Sequence, residues 1–464
     1  MNAYRIGCAV GAALCVLVGG AKAAGTDTAV AYQINVAHNG IQTDDSLSPP
    51  LLLRWQVTLP ALVSYPLVAQ GLIFVTAADN VSTVPTLYAL DQASGKTVWS
   101  QTLPSPPPFS FPWANAAYDN GRVFTVGTAG ILTAYDAGTG ASLWSTKLPD
   151  QYLFSSPPTA ANGIVYTGGA GSGGTLYAVD QLTGSVLATQ GVANGDHSSP
   201  ALSASSVFVS YACNRAFGFA QTTLQLNWQY ITFCSGGGGK TVVFDSGRVY
   251  TRDFFGNLIL SAASGNLLGS YLPAMVSPVI VAPAVRGNTL WLQSAGTLSA
   301  RDVSVPSSPS TLWSFTGDGQ LITAPIVLST PSGDYVIEGS SSGMLYALDA
   351  STGSVVWSTN VGAAIAPPDE QNLSQPLTGL GAGQGLLVVP AGKTISAFST
   401  SIPPVSAATP VPTLSNGMYS LLVLFLSSLA VRALLHRRDR REASGDITPS
   451  QARRVRRLGP GRLA

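Results

Sequence analysis

Leu87-Tyr88-Ala89-Leu90-Asp91-Gln92-Ala93-Ser94-Gly95-Lys96-Thr97-Val98-Trp99 decides the architecture, because the same pattern returns three more times without a gap. The copies run Leu132 to Trp144 through Asp136 and Gly140, Leu176 to Gly184 through Asp180, and Leu345 to Trp357 through Asp349 and Gly353. Each reads as a strand, a tight turn and a second strand. Asp91, Asp136, Asp180 and Asp349 are spaced to accept hydrogen bonds from the N–H groups of their own turn, and Gly95, Gly140, Gly184 and Gly353 supply a positive φ. Trp99, Trp144 and Trp357, eight residues after the Asp, are placed to fill the gap between neighbouring sheets.

Weaker copies fill the intervals. Trp228 follows Leu224-Gln225-Leu226, Trp313 follows Arg301-Asp302 with a small insertion, and Ala188 and Gly269 stand where the Trp has been lost. Trp-equivalent positions therefore fall at 55, 99, 144, 188, 228, 269, 313 and 357. A fixed period of this kind means stacked supersecondary units. After Trp357 one more unit ends at Thr394-Ile395-Ser396-Ala397-Phe398 without a last strand, and before the first full unit stands an orphan strand, Leu52-Leu53-Arg54-Trp55-Gln56-Val57. The orphan completes the unfinished unit. The expected fold is all-β: an eight-bladed propeller of four-stranded blades over 50–400, closed by an N-terminal strand, which leaves only short sheet edges.

The consensus A-x-D-x-x-T-G-x-x-x-W resembles the repeats of the pyrroloquinoline quinone (PQQ)-type propeller superfamily, and Tyr32 to Gly40 looks like the lead-in that precedes the first blade in bacterial members. The resemblance implies the fold and leaves the function open, since it extends to quinoprotein dehydrogenases, to an outer-membrane assembly lipoprotein and to surface proteins that bind no quinone. Dehydrogenases of that superfamily clamp PQQ between a Trp floor and a vicinal disulfide, and hold Ca²⁺ near a catalytic Asp. This chain has no adjacent cysteines, no c-type haem motif and repeats with little spare length.

Composition agrees with a turn-rich β protein. Of 464 residues, 46% are apolar and 10% charged, with 49 Gly and 31 Pro. Between residues 24 and 431 there are 11 Lys/Arg against 19 Asp/Glu, whereas 432–464 holds 10 Arg and 3 acidic residues. A mildly acidic body excludes nucleic acid as its partner.

Both ends carry targeting features. Arg5, the apolar run from Ile6 to Val18 and Ala21-Lys22-Ala23 read as a signal peptide over 1–23, followed by a lead-in over 24–49. Residues 401–417 form a Pro-rich linker, 418–435 an apolar stretch long enough to span a bilayer, and 436–464 a basic tail that favours the cytoplasm. Val411-Pro412-Thr413-Leu414, Gly417, the span and the arginines resemble IPTL-type C-terminal sorting signals of Gram-negative bacteria. That resemblance implies cleavage near Pro412-Thr413 by a sorting transpeptidase and transfer to the cell surface. Cys213 and Cys234 remain after export, and one disulfide is their simplest state, closing a loop that stabilises by roughly 3 kcal/mol.

Residues that imitate chemistry have structural readings. His197 adjoins Asp196, Ser198 and Ser199, but a Ser/His/Asp site needs those groups converging from separate positions. His38 is read as packing the lead-in. Ser235 to Thr241 imitates a phosphate loop with Cys234 where the first Gly belongs, and it enters a strand rather than a helix. Glu338, Arg252 and Asp253 are candidates for the channel or a rim, and the Pro/aromatic loop Pro104 to Trp113 for protein or glycan contact. The expected role is an exported, surface- or envelope-anchored scaffold without catalysis, cofactor or metal. A PQQ-dependent oxidoreductase and an outer-membrane assembly scaffold are the alternatives.

Overall fold

Eight sheets form the body of the protein in a computed structural model that describes residues 27–43, 47–79, 84–105, 111–232, 237–253, 256–272 and 281–400. The signal peptide, the sorting motif at 411–414, the span at 418–435, the basic tail and Cys234 lie outside the described residues. Among the described residues no helix is long and apolar enough to cross a membrane.

The eight-bladed propeller is as expected. Blades 1 to 7 occupy 67–102, 114–147, 159–192, 201–230, 243–272, 284–315 and 326–360, each an antiparallel sheet of four strands in chain order. Blade 8 takes Gly381–Gly383, Leu386–Ala391 and Thr394–Ser399 from the end of the ring and Leu52–Thr58 from its beginning, with Trp55 opposite Ala397. One detail departs from four strands: Ile41–Gln42 adds a short fifth strand to blade 7, parallel to Ile326–Thr330.

Burial follows the position of each strand in its blade. Second strands such as Ile164–Ala170 and Leu386–Ala391 are buried at every residue because blades cover both their faces. Outermost strands such as Thr97–Thr102 and Ser142–Lys147 alternate between partly buried and exposed residues. All eight outer pairs carry a register shift at the same place, and that of blade 5 carries a second between Asn257 and Leu258. The residue skipped is the one before the Trp position: Val98, Leu143, Leu187, Leu312 and Val356 among them. The bulge twists the strand so that the Trp turns inward and its neighbour outward, which is why these aliphatics are exposed.

The repeat motif locks each blade to the next. Trp55, Trp99, Trp144, Trp228 and Trp313 donate their indole N–H to the carbonyls of Gln92, Ala137, Gln181, Ala262 and Ala350, at 2.7–3.0 Å. Their rings cover Gly95, Gly140, Gly184, Gly265 and Gly353, where an added Cβ would fall 2.4–2.6 Å from the indole. Within the turn, Asp136 Oδ1 accepts from Thr139 N and Oγ1 at 2.8 and 2.7 Å, and Asp91, Asp180 and Asp349 repeat the arrangement. These donors hold the carboxyls of Asp136, Asp180 and Asp349 below the ordinary range.

Where the Trp is missing, another side chain reaches the same carbonyl. Tyr166, on the second strand of blade 3, donates to Gln221 O at 3.1 Å in place of Ala188. Arg248, on the second strand of blade 5, donates to Val303 O at 2.8 Å in place of Gly269. The glycine partner has gone as well: Leu224 occupies the turn of blade 4, and Gly269 lies under the Pro306 carbonyl. Trp357 differs again. It faces the break in the chain of blade 8 and meets Phe398 edge-on at 5.6 Å.

Candidate functional site

The ring axis is where the eight blades converge, and the protein's own residues close it at both ends. At one end lies the lead-in. Its carbonyls take one backbone N–H from almost every innermost strand in turn: Asp27 from Gln384, Ala29 from Val68, Val30 from Tyr118, Val36 from Leu202, Ala37 from Phe244, Asn39 from Val285 and Gly40 from Val327. Those bonds are 2.7–2.9 Å long and cover every blade except the third. His38 supplies the missing one, with Nε2 3.2 Å from Thr159 Oγ1 and 3.1 Å from the Pro200 carbonyl, while Nδ1 lies 2.6 Å from Tyr32 O. Its ring is fully buried and burial pushes its pKa down, so it packs the lead-in, with each nitrogen facing a hydrogen-bond partner.

The opposite end is crossed by the connection between blades 7 and 8, residues 361–380. Leu377 and Asn115 exchange two hydrogen bonds of 3.1 Å, fixing the strap to blade 2. Gln371 donates to Gly239 O at 2.7 Å near blades 4 and 5. Next to the Gln371 anchor, Glu370 turns down to the axis, accepting from Thr241 N at 2.9 Å and from Arg252 Nη2 at 2.6 Å. The two charged side chains are 0% and 2% exposed. Burial opposes the Arg252 charge, and the Glu370 carboxylate more than restores it. Tyr32, from the lead-in, lies within the field of this pair, and burial raises its pKa.

The other candidate residues do not assemble a reactive centre. Arg252 is axial rather than on a rim. Glu338 is fully buried, its Oε1 accepting from Thr323 N and Oγ1 at 2.9 and 2.8 Å, and burial raises its pKa well above the usual carboxyl range. His197 Nε2 lies 3.4 Å from its neighbour Asp196 Oδ2, and burial pushes both toward their neutral forms. Ser198 donates to Lys240 O and Ser199 to Pro157 O, so neither hydroxyl is directed at His197. Gly237–Lys240 leads into the strand Val243–Asp245, not a helix, and its backbone packs on Asp196 and Ser198. Of the aromatic loop, 106–110 lie outside the described residues; Trp113 is buried among Phe124 and Phe154 while Phe111 is exposed. Cys213 is buried beside the turn of blade 4. Among the described residues no three His, Cys, Asp or Glu group as a metal site would.

A family model described as outer membrane protein assembly factor BamB matches residues 52–108, 85–231 and 225–375. The chain belongs to this family. Among solved structures, BamB from Moraxella catarrhalis superposes with a TM-score of 0.51 at 16% identity, covering 75% of this chain and 99% of that one. Quinohemoprotein alcohol dehydrogenase ADHIIG from Pseudomonas putida HK5 gives 0.63 at 14% identity, covering 81% and 80%. A europium-containing methanol dehydrogenase gives 0.61 at 14%, covering 81% and 98%. At such identities the likeness establishes the fold alone, which the BamB family shares with those enzymes. No curated protein matches the sequence.

The axial residues do not fit a quinone. A planar cofactor seated on the axis needs exposed surface to lie against, yet Tyr32, His38, Glu370 and Arg252 are only 0–4% exposed. Arg252 already has its carboxylate partner.

The repeat's Asp and Trp were legible in advance, but Glu370 was not. It sits in a connection without repeat pattern, 118 residues from its partner. Its only signal was the length of that connection.

Proposed function

We propose that this member of the BamB family is an exported, envelope-associated propeller that acts as a non-catalytic binding and display scaffold. The observation that carries the reading is the occupied axis: the strap at 361–380 and the lead-in fill the convergence point with a buried ion pair and packed aromatics. A site filled by the chain's own side chains works as a brace, and recognition is left to the faces and rims of the ring.

Export and display rest on the termini. A cleaved signal at 1–23, anchoring at 418–435 and sorting at Val411-Pro412-Thr413-Leu414 place the ring outside the cytoplasm of a Gram-negative cell, at the envelope or surface. A Cys213–Cys234 bridge belongs to that compartment. Its support is local: Thr232, two residues before Cys234, donates to the Cys213 carbonyl at 2.6 Å. An envelope-assembly scaffold is the second reading, favoured by the family match over 52–375.

The test is purification from the native envelope, followed by addition of PQQ and Ca²⁺ with an alcohol and a redox dye. We expect a C-terminus near Pro412-Thr413, no quinone absorbance and no dye reduction. Bound quinone with substrate-dependent turnover overturns the scaffold. Co-purification with an outer-membrane assembly complex selects the second reading.

A further inference from the structure

A cleft of about 570 Å³ opens between blades 6 and 7, on the outer half of the face that carries the first turn of each blade. That size lies within the range of small-ligand sites. We propose that this cleft binds a neutral saccharide through its vicinal hydroxyls, which deepens the reading of the protein as a binding scaffold and rests on it.

The cleft exists because one reach is missing. In blade 5 the first hairpin pairs Asp245 with Arg248, and Arg248 stretches across to Asn288 and Val303 of the next blade. In blade 6 the same register position is Thr289, paired with Arg286, and a threonine does not span the gap. The hairpin of blade 7 is also longer, Thr330-Pro331-Ser332-Gly333-Asp334, and stands as the far wall.

The lining supplies donors and acceptors side by side. Arg286 uses only Nη1, donating to Ser329 Oγ and Asp334 Oδ2 at 2.7 Å each. Three further N–H groups of this half-exposed guanidinium remain for a ligand. Asp349 gathers Ser351 and Thr352 onto Oδ1 alone, which leaves Oδ2, while Asp334 keeps Oδ1. Trp291 and the exposed Leu312 form an apolar wall.

The charge balance selects the class. Two carboxylates repel an anion, and the guanidinium repels a cationic side chain. A vicinal diol donates to the carboxylates, accepts from the guanidinium and lays its C–H face on Leu312.

The experiment is saturation-transfer NMR on the full-length protein with neutral hexoses, N-acetylhexosamines and disaccharides at millimolar concentration, then titration of the best. We expect Arg286→Ala and Asp334→Ala each to weaken binding about tenfold or more, from lost hydrogen bonds to charged groups. Leu312→Ala should weaken it too, while Leu143→Ala, the same bulge position in blade 2, should leave it unchanged. Absence of transfer from every neutral sugar, or binding indifferent to Arg286→Ala and Asp334→Ala, overturns the site. Occupation by an arginine-rich peptide also overturns it. Either failure without quinone turnover leaves the scaffold standing, whereas turnover removes the scaffold whatever the sugar result.

Discussion

Replacing Glu370 by alanine takes the carboxylate away from Arg252 Nη2 and Thr241 N together. The guanidinium left behind is 2% exposed, so water cannot replace the lost partner without opening the strap. Removing one member of a buried pair costs about 3–5 kcal/mol, and an orphaned buried amide about 1–3 kcal/mol more. The strap is also held through Asn115 and Gln371, so relaxation is limited and a loss of at least about 4 kcal/mol is expected. Urea denaturation followed by tryptophan emission and far-UV circular dichroism measures it, and hydrogen exchange at Thr241 and Leu377 locates it. Replacing both partners, Arg252→Met with Glu370→Leu, should lie far closer to the native protein, because no charge is then stranded. A Glu370→Ala loss under 1 kcal/mol, with unchanged exchange at Thr241, would refute the account of the pair as a brace.

Two further outcomes are expected. Trp144→Phe keeps a ring over Gly184 and gives up one hydrogen bond, about 1 kcal/mol by denaturation, whereas Gly184→Ala should cost clearly more, since its Cβ would sit 2.5 Å from Trp144 at a φ of +72°. The pH dependence should narrow from both sides. Glu338 has its pKa raised in the fold, so its contribution is full in acid and is lost as pH rises above the ordinary glutamate range; His38 has its pKa lowered, so stability falls as pH drops through the ordinary histidine range. Thermal midpoints of Glu338→Gln should therefore lose the first slope relative to the native protein, and an unaltered slope refutes the assignment.

The ring was legible because its determinants are local. Asp136, Gly140 and Trp144 lie within one hairpin, and their spacing carries turn and lock together. The orphan strand around Trp55 was legible because the last unit lacked a partner. What the sequence hid was non-local. Tyr166 and Arg248 rescue the blade contacts at Ala188 and Gly269 from a different strand, so no spacing announces them. Glu338 and Arg252 read as charges of the channel or a rim, and the sequence did not choose between them because burial of an ion is decided by neighbours outside its own turn. For Arg252 that neighbour is Glu370; for Glu338 it is Thr323, whose N–H and hydroxyl bond a carboxyl that burial pushes toward its neutral form.

The lead-in has a consequence for how such rings evolve. Its carbonyls meet the amides of seven successive blades, and His38 serves the remaining one, so a segment of fixed length counts the circumference. Duplication or loss of a single repeat would leave one strand unmet or one carbonyl idle at a buried axis. The segment is a gauge: it ties the copy number of the repeat to eight, and any change of number must be accompanied by a change in the residues around His38.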